Sequence, residues 1–319
     1  MATRRKSFIC QRSTWLALLA YAASFGIGLI LFVSLASHSA IILPLTQLGQ
    51  KQTPESISVK AQTRQEITAL KPELLSNWKQ QAKAKNLIVS LPVQFQAKTV
   101  ADVKLTLPDK VIALTFDDGP WPKSTEQVLN ILQQHNIKAT FFWIGQNVQN
   151  YPQLAQKVVA DGQVIGNHTW HHWYRQMDKT TAASEIERTA AAIYQTTGVR
   201  TSLFRPPGGI LNNGPADYAK LQNYGVVMWS DDSEDYNRPP VARLVKNVLR
   251  RARPGGIVLM HDGGGDRSHT VQALPLIIAA LTKSGYHFVT VPELLEIKDK
   301  EQVAGKGVAA MRKQGNRSL

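Results

Sequence analysis

Cysteine is almost missing from this 319-residue chain, which carries Cys10 and no other. No intrachain disulfide can form, and no thiolate metal cluster or catalytic cysteine can lie in the body of the chain. A disulfide-free fold suits either side of a membrane, so cysteine usage leaves the compartment open. Phosphate-binding loops are lacking too. No Gly-x-Gly-x-x-Gly or Walker-type segment follows the first predicted strand, which removes the usual nucleotide sites. No internal repeat is present. Excess charge is scarce where a nucleic-acid enzyme would need it. The chain carries a net +14, but Lys and Arg number 14 against 5 acidic residues in 1–110, 17 against 16 in 111–297, and 6 against 2 in 298–319. A cleft that grips phosphates would gather cations around its motifs, so no nucleic acid is expected as a partner. Basic flanks on a neutral centre suit anionic lipid or an anionic wall polymer instead.

A long uncharged apolar run, Trp15–Ala36, follows Arg4, Arg5, Lys6 and Arg12. At a rise of about 1.5 Å per residue it spans about 33 Å, enough for a hydrocarbon core of roughly 30 Å and longer than the roughly 7–15 residues of a cleavable signal core. It is expected to be a single transmembrane anchor at 15–36, with residues 1–14 cytoplasmic and the rest outside the cytoplasm. Cleavage, if it occurs, has small residues to use at Ser37–Ala40. Residues 37–110 are polar and poor in aromatics and read as a stalk or linker. That stretch has one helix-like segment around Gln65–Ala84 and strand-like composition at 86–95 and 103–107. Residues 298–319 are rich in Gly, Lys and Arg without periodicity and read as a disordered basic tail.

Between these flanks, 111–297 alternates. Apolar runs at 111–116, 139–144, 164–166, 203–204, 226–229, 256–260 and 287–291 read as buried strands. Helical stretches at 124–135, 152–160, 181–196, 240–251 and 271–284 lie between most of them, several opening with Ser, Thr or an early proline. The alternation predicts an α/β fold with about seven parallel strands, a distorted (β/α) barrel in preference to a doubly wound open sheet.

Each chemical motif falls where a predicted strand ends, the place where a barrel gathers catalytic groups. Thr115-Phe116-Asp117-Asp118-Gly119-Pro120 closes the first strand. Alone it would more often be a turn. Neighbouring carboxylates leaving a strand diverge, so one can hold a cation while the other faces a reacting water. His168, His171 and His172 follow the third strand, and either His168 with His172 or His168 with His171 can share one face of a helical turn. Two imidazoles and a carboxylate, with coordination positions left open, are what hydrolytic zinc sites use. The set implies a metal-dependent hydrolase.

With Arg205-Pro206-Pro207-Gly208-Gly209, Asp232-Ser233-Glu234-Asp235-Tyr236 and Leu259-Met260-His261 added in order, the domain resembles the polysaccharide deacetylase family. These are the NodB-homology enzymes of carbohydrate esterase family 4, and the likeness runs over about Val111–Ile297. The resemblance implies Asp117 as general base, Asp118, His168 and His172 as ligands of a divalent cation, Zn2+ foremost, and Arg205 as the partner of Asp117. It further implies His261 as general acid, oriented by Asp235, with Gly208, Tyr236 and Leu259 at the substrate. His171 falls on a variable family position. Where the family usually has tyrosine, Gly208 keeps the backbone N–H that would stabilise an oxyanion, and the lost ring is expected to widen the cleft. Tyr236 replaces the usual tryptophan. Trp121, Trp170 and Trp173 are further candidates to stack on sugar rings. The implied function is removal of acetyl groups from N-acetylhexosamines of a cell-envelope or exported polysaccharide, peptidoglycan above all, by a membrane-anchored enzyme. An O-acetyl esterase acting on xylan-type glycans and a degenerate glycan-binding module are the alternatives.

Overall fold

The computed structural model describes residues 85–106 and 110–315, with residues 76 and 80–82 besides, and side chains as far as residue 305. The predicted anchor at 15–36 and most of the helix-like stretch at 65–84 lie outside the described residues. Among the described residues no helix is long and apolar enough to cross a membrane.

Among the described residues eleven strands run β1 (Ile88–Val89), β2 (Thr99–Val100), β3 (Lys110–Asp117), β4 (Thr140–Trp143), β5 (Val164–Asn167), β6 (Arg200–Thr201), β7 (Leu203–Phe204), β8 (Gly225–Val227), β9 (Asp231–Asp232), β10 (Gly256–His261) and β11 (Tyr286–Phe288). The helices are α1 (Ser124–Gln134), α2 (Gly145–Asn150), α3 (Pro152–Ala160), α4 (Lys179–Thr197), α5 (Pro215–Leu221), α6 (Val241–Arg251), α7 (Ser268–Lys283) and α8 (Val291–Gly315). Nine strands form one sheet in the order β2-β8-β7-β5-β4-β3-β10-β9, with β11 also on β3, while β1 and β6 make a separate pair. Every ladder is parallel. At its centre β3 is buried from its second residue onward. Parallel strands covered on both faces must be apolar throughout, which is why Val111–Phe116 reads as an unbroken run. Helix α4 starts at an Asp178 carboxylate that accepts from Thr181 N at 2.7 Å and stops at Gly198, whose φ of 77° few other residues adopt.

The sheet curls until its two ends nearly meet. Met228–Ser230, the link from β8 to β9, bonds to both ends: Met228 N donates to Val100 O at 2.7 Å and Ser230 N to Ile257 O at 3.1 Å. Residues 99–103 cover the same seam, since β2 pairs with β8 while Val103 N donates to Gly255 O at 3.0 Å. A side chain at 255 would put its Cβ 1.8 Å from Val103 O, so only glycine permits this approach. The barrel is therefore an open one, stitched rather than closed by a continuous ladder.

Two expectations are corrected here. The linker does not extend to 110, because Val89, Leu91, Val100 and Val103 are buried in the main core and the domain begins by residue 86. Strands of two residues give too little periodicity to separate from polar linker. The tail expected to be disordered from 298 continues α8 as far as Gly315. Buried Val291, Leu294 and Leu295 anchor that helix, and the Ala, Lys, Glu, Gln and Met beyond them favour helix without needing a buried face. Gln94 and Thr106 bond to Asp299 and Glu301 of α8, so the two segments lie side by side.

Leu91 packs where Gly225 leaves room, its Cδ1 lying 2.4 Å from a Cβ built there. Leu91→Ala should destabilise the domain by about 2–5 kcal/mol in urea unfolding, the usual cost of an emptied core site. A linker residue would give no change.

Candidate active site

The last residue of β3 is Asp117, and the chain leaves the strand through Asp118 at φ 72°. This left-handed step turns the two carboxylates apart. Asn147 Nδ2 holds it by donating to Asp118 O at 2.8 Å, and Gly263 permits it, since a Cβ there would lie 2.1 Å from the same oxygen. After β5 the backbone is left-handed twice more, at Thr169 (φ 66°) and His172 (φ 62°). Such conformations cost about 1–3 kcal/mol each and persist only where the surroundings fix them. Asn167 Oδ1 accepts from Thr169 N, Thr169 Oγ1 accepts from His172 N, and the buried Glu185 of α4 accepts from Trp170 N and His171 N. Glu185 also takes the His171 ring, whose Nδ1 is 2.5 Å from Oε1. His171 is thereby turned away, and of the two histidine pairings it is His168 with His172 that meets.

Asp118 Oδ1 lies 3.5 Å from His168 Nε2 and 3.2 Å from His172 Nε2, and the two Nε2 atoms are 3.2 Å apart. Three ligands about 2.0–2.1 Å from a tetrahedral ion sit about 3.3–3.4 Å from one another, so the triangle has the size such an ion requires. The donor chemistry agrees. Asp118 Oδ1 is buried with no hydrogen-bond partner. His168 Nδ1 lies 2.7 Å from Arg205 O, which can only accept, so the proton sits on Nδ1 and Nε2 offers its lone pair to the triangle. Burial, and then the neighbouring His172, push His168 down to about 3 against the pull of Asp118, keeping it in the neutral form that ligates. These three residues fit a divalent cation.

Arg205 leaves β7 fully buried beside this triangle. Its Nη1 donates to Asp117 Oδ1 at 2.7 Å and to Thr115 Oγ1 at 2.8 Å, its Nε to Val227 O and its Nη2 to Met228 O. Asp117 Oδ2, left free of the arginine, lies 3.7 Å from His168 Nε2. Across the β3–β10 ladder, His261 stands in register with Asp117. Its Nδ1 is 2.6 Å from Asp235 Oδ1, while Asp235 Oδ2 accepts from His261 N and Thr270 Oγ1. Burial alone would lower the His261 pKa. The charge and hydrogen bond of Asp235 outweigh it, with help from Asp118 and Asp117, and raise it to about 9.

These groups border a cleft of about 560 Å³. Asp117, Asp118, His168, His172, Gly208, Tyr236, Leu259 and His261 line it, while Arg205 and Asp235 stand behind Asp117 and His261. Of the tryptophans put forward as sugar platforms, none of Trp121, Trp170 and Trp173 lines it. Trp170 is buried under the Arg188 guanidinium, Trp121 meets the edge of Tyr151, and Trp173 stacks on His171.

Several supporting residues escaped the sequence reading. Thr115, quoted in the first motif without a role, bonds to Arg205, and Thr270, which carries no signal in a single sequence, bonds to Asp235. Arg267 places Nη2 3.9 Å from Asp118 Oδ2. Asp262 is fully buried, accepts from Thr125 Oγ1 at 2.5 Å, and is pushed up to about 7 by burial against that hydrogen bond, with the charges of Asp118 and Asp117 adding to the push. Glu185 had a readable mark, a carboxylate inside the inward stripe Ala182, Ile186, Thr189 and Ile193 of α4.

Residues 104–227 match the family model described as polysaccharide deacetylase. The chain is 44% identical over 192 residues to a peptidoglycan-N-acetylglucosamine deacetylase of Bacillus cereus, covering 60% of this chain and 90% of that protein. The chain belongs to the polysaccharide deacetylase family. Among solved members of this deacetylase family, the Bc1960 peptidoglycan N-acetylglucosamine deacetylase superposes with a TM-score of 0.59 at 32% identity, over 63% of this chain and 94% of that one. BA3943 of Bacillus anthracis, described as a pseudoenzyme of the same family, superposes with a TM-score of 0.57 at 29% identity, over 62% of this chain and 68% of that one. Membership assigns the enzyme class, a deacetylase and so a hydrolase of carbon–nitrogen bonds.

The Asp235–His261 pair gives a pH signature in the metal-free protein. Because the folded pKa is raised from 6.5 to about 9, the stabilisation it lends is complete below the unfolded value and lost as pH rises through about 9. Asp235→Asn should lower the His261 pKa, read from its ring proton in an NMR titration, and flatten that alkaline loss of stability. An unmoved titration would show that Asp235 does not hold the charge.

Proposed function

We propose that this deacetylase removes acetyl groups from N-acetylhexosamine residues of a cell-envelope glycan, peptidoglycan above all, with zinc held by Asp118, His168 and His172. The observation that carries the reading is the meeting of that triangle, whose His168 Nε2 lies 3.7 Å from Asp117 Oδ2, beside a third imidazole, His261, whose pKa Asp235 raises. A divalent cation there would supply Lewis-acid polarisation of the acyl oxygen and would acidify a water.

This chain's own side chains account for the proton traffic. Asp117 Oδ1 is engaged by Arg205, so Oδ2 accepts the proton of the attacking water. Amide cleavage needs the leaving nitrogen protonated, because an amide anion is a very poor leaving group. His261 Nδ1 is taken by Asp235, so Nε2 delivers that proton. Gly208 N–H donates to the developing oxyanion. Leu259, two residues before His261 on the same face of β10, is 3% exposed and gives the acetyl methyl an apolar contact. The products are acetate and a free hexosamine amine.

Support for the substrate comes from relatives whose names give peptidoglycan N-acetylglucosamine, and from basic flanks around a neutral catalytic domain. Support for a membrane-anchored enzyme working outside the cytoplasm comes from Arg4, Arg5, Lys6 and Arg12 ahead of the apolar run at 15–36. The pseudoenzyme relative keeps the binding-module reading testable, and retained glycan binding without acetate release would favour it.

Asp117→Asn keeps an acceptor for Arg205 but removes the base, so acetate release from N-acetylglucosamine oligomers should fall by about 10²–10⁴. Circular dichroism should still report a folded domain, though a less stable one, because the Arg205 charge loses its counter-ion. Unaltered release would end the base assignment. Removal of the metal with a chelator should abolish turnover, and His172→Ala should lower the zinc retained after dialysis, measured by elemental analysis, well below one ion per chain.

A further inference from the structure

Gly208 stands where the family usually has tyrosine, yet the place of that ring is not empty. A Cβ at 208 would lie 3.0 Å from Tyr174 Cε1 and 3.3 Å from Cδ1. Tyr174 reaches there from the loop between β5 and α4, and its ring meets His172 edge-on at 5.2 Å. A ring from another loop thus stands against the spot where a side chain at 208 would start, which counters the expected widening of the cleft.

The position of Tyr174 is built rather than incidental. Its carbonyl accepts from Asn213 Nδ2, and Asn213 O in turn accepts from Met177 N at 2.9 Å, tying the loop to the segment after Gly209. Gly214 at φ 110° makes the approach possible, since a Cβ there would lie 2.6 Å from Met177 O. Tyr174 nevertheless stays 58% exposed. On the acid side of the same cleft, Tyr236 is 47% exposed and meets His261 edge-on at 5.8 Å. Two tyrosines thus flank the site, one against a metal-site histidine and one against the proton donor. Both leave apolar faces in water, a cost that a ligand would offset.

We propose that Tyr174 is a substrate-recognition residue. Its ring takes the place of the one missing at 208 and, with Tyr236, forms the walls of a slot that holds a pyranose of the glycan chain by its C–H face. A hexosamine ring suits such walls because it offers apolar C–H bonds on one face and hydroxyls at its rim, and neutral phenols bring no charge to oppose it. The assignment deepens the deacetylase reading and rests on it for the identity of the ligand.

The test uses the full chain and N-acetylchitohexaose, with acetate release and calorimetric binding measured separately. Tyr174→Ala should raise KM and Kd about three- to ten-fold, within the range measured for aromatic contacts, with kcat within about two-fold and zinc content unchanged. Tyr174→Phe should behave as wild type. Gly208→Tyr should weaken binding, because the new side chain meets Tyr174 from a left-handed backbone, and adding Tyr174→Ala should restore part of the loss. Unchanged KM and Kd in Tyr174→Ala would overturn the proposal. So would a loss confined to kcat or zinc, a defect in Tyr174→Phe equal to that of Tyr174→Ala, or no binding of the hexamer by wild type. Wild type that binds the hexamer without releasing acetate would strike the deacetylase reading instead, and the Kd comparison would still decide the role of Tyr174.

Discussion

The buried guanidinium of Arg205 is the constraint on which the site depends. A fully buried cation must be paired and hydrogen-bonded, and this one is met by one carboxylate, one hydroxyl and two carbonyls. Those partners come from β3, from β8 and from the link that follows it, so satisfying the charge fixes the spacing of the barrel mouth. The arginine's own carbonyl then sets the tautomer of His168. One side chain and its peptide unit thereby position both the candidate base and a candidate metal ligand. Removing either Arg205 or Asp117 leaves the other charge buried alone, a change that typically costs about 3–5 kcal/mol.

Around that anchor, burial is turned to opposite ends. His168 and His261 both lie in the cleft wall, yet one is driven down to about 3 and the other up to about 9. Desolvation acts on both. What separates them is the partner of Nδ1: a neutral carbonyl for His168, which leaves desolvation and His172 to prevail, and a buried carboxylate for His261, which overcomes it. Two copies of one side chain are thus suited to opposite tasks, one to offer a lone pair and one to carry a proton, the kind of divergence that marks an acid–base site.

Much of this was legible in the sequence because strand ends carry motifs. The runs at 111–116, 203–204 and 256–260 place Asp117, Arg205 and His261 at strand ends, and β3, β7 and β10 fall on them. Spacing alone left His171 and His172 open and the family resemblance chose His172; the physical reason, Glu185, lies 14 residues beyond His171. Tyr174 was not legible, since its meaning depends on a glycine 34 positions away with which it shares space only in the fold. β1 falls inside the strand-like stretch at 86–95, whereas the edge strand β2 hides because two residues do not establish a period. The continuation of α8 hides because helix propensity needs no stripe.

The stitched seam carries one more consequence. Met228 bonds through its amide to Val100 at the sheet's far end and through its carbonyl to Arg205. The stitch and the support of Asp117 are therefore neighbouring bonds on one residue. A loosened seam at Met228 would disturb the bond that supports Arg205 and, through it, Asp117. Residues 99–103, outside every motif, thus share a residue of support with the buried guanidinium.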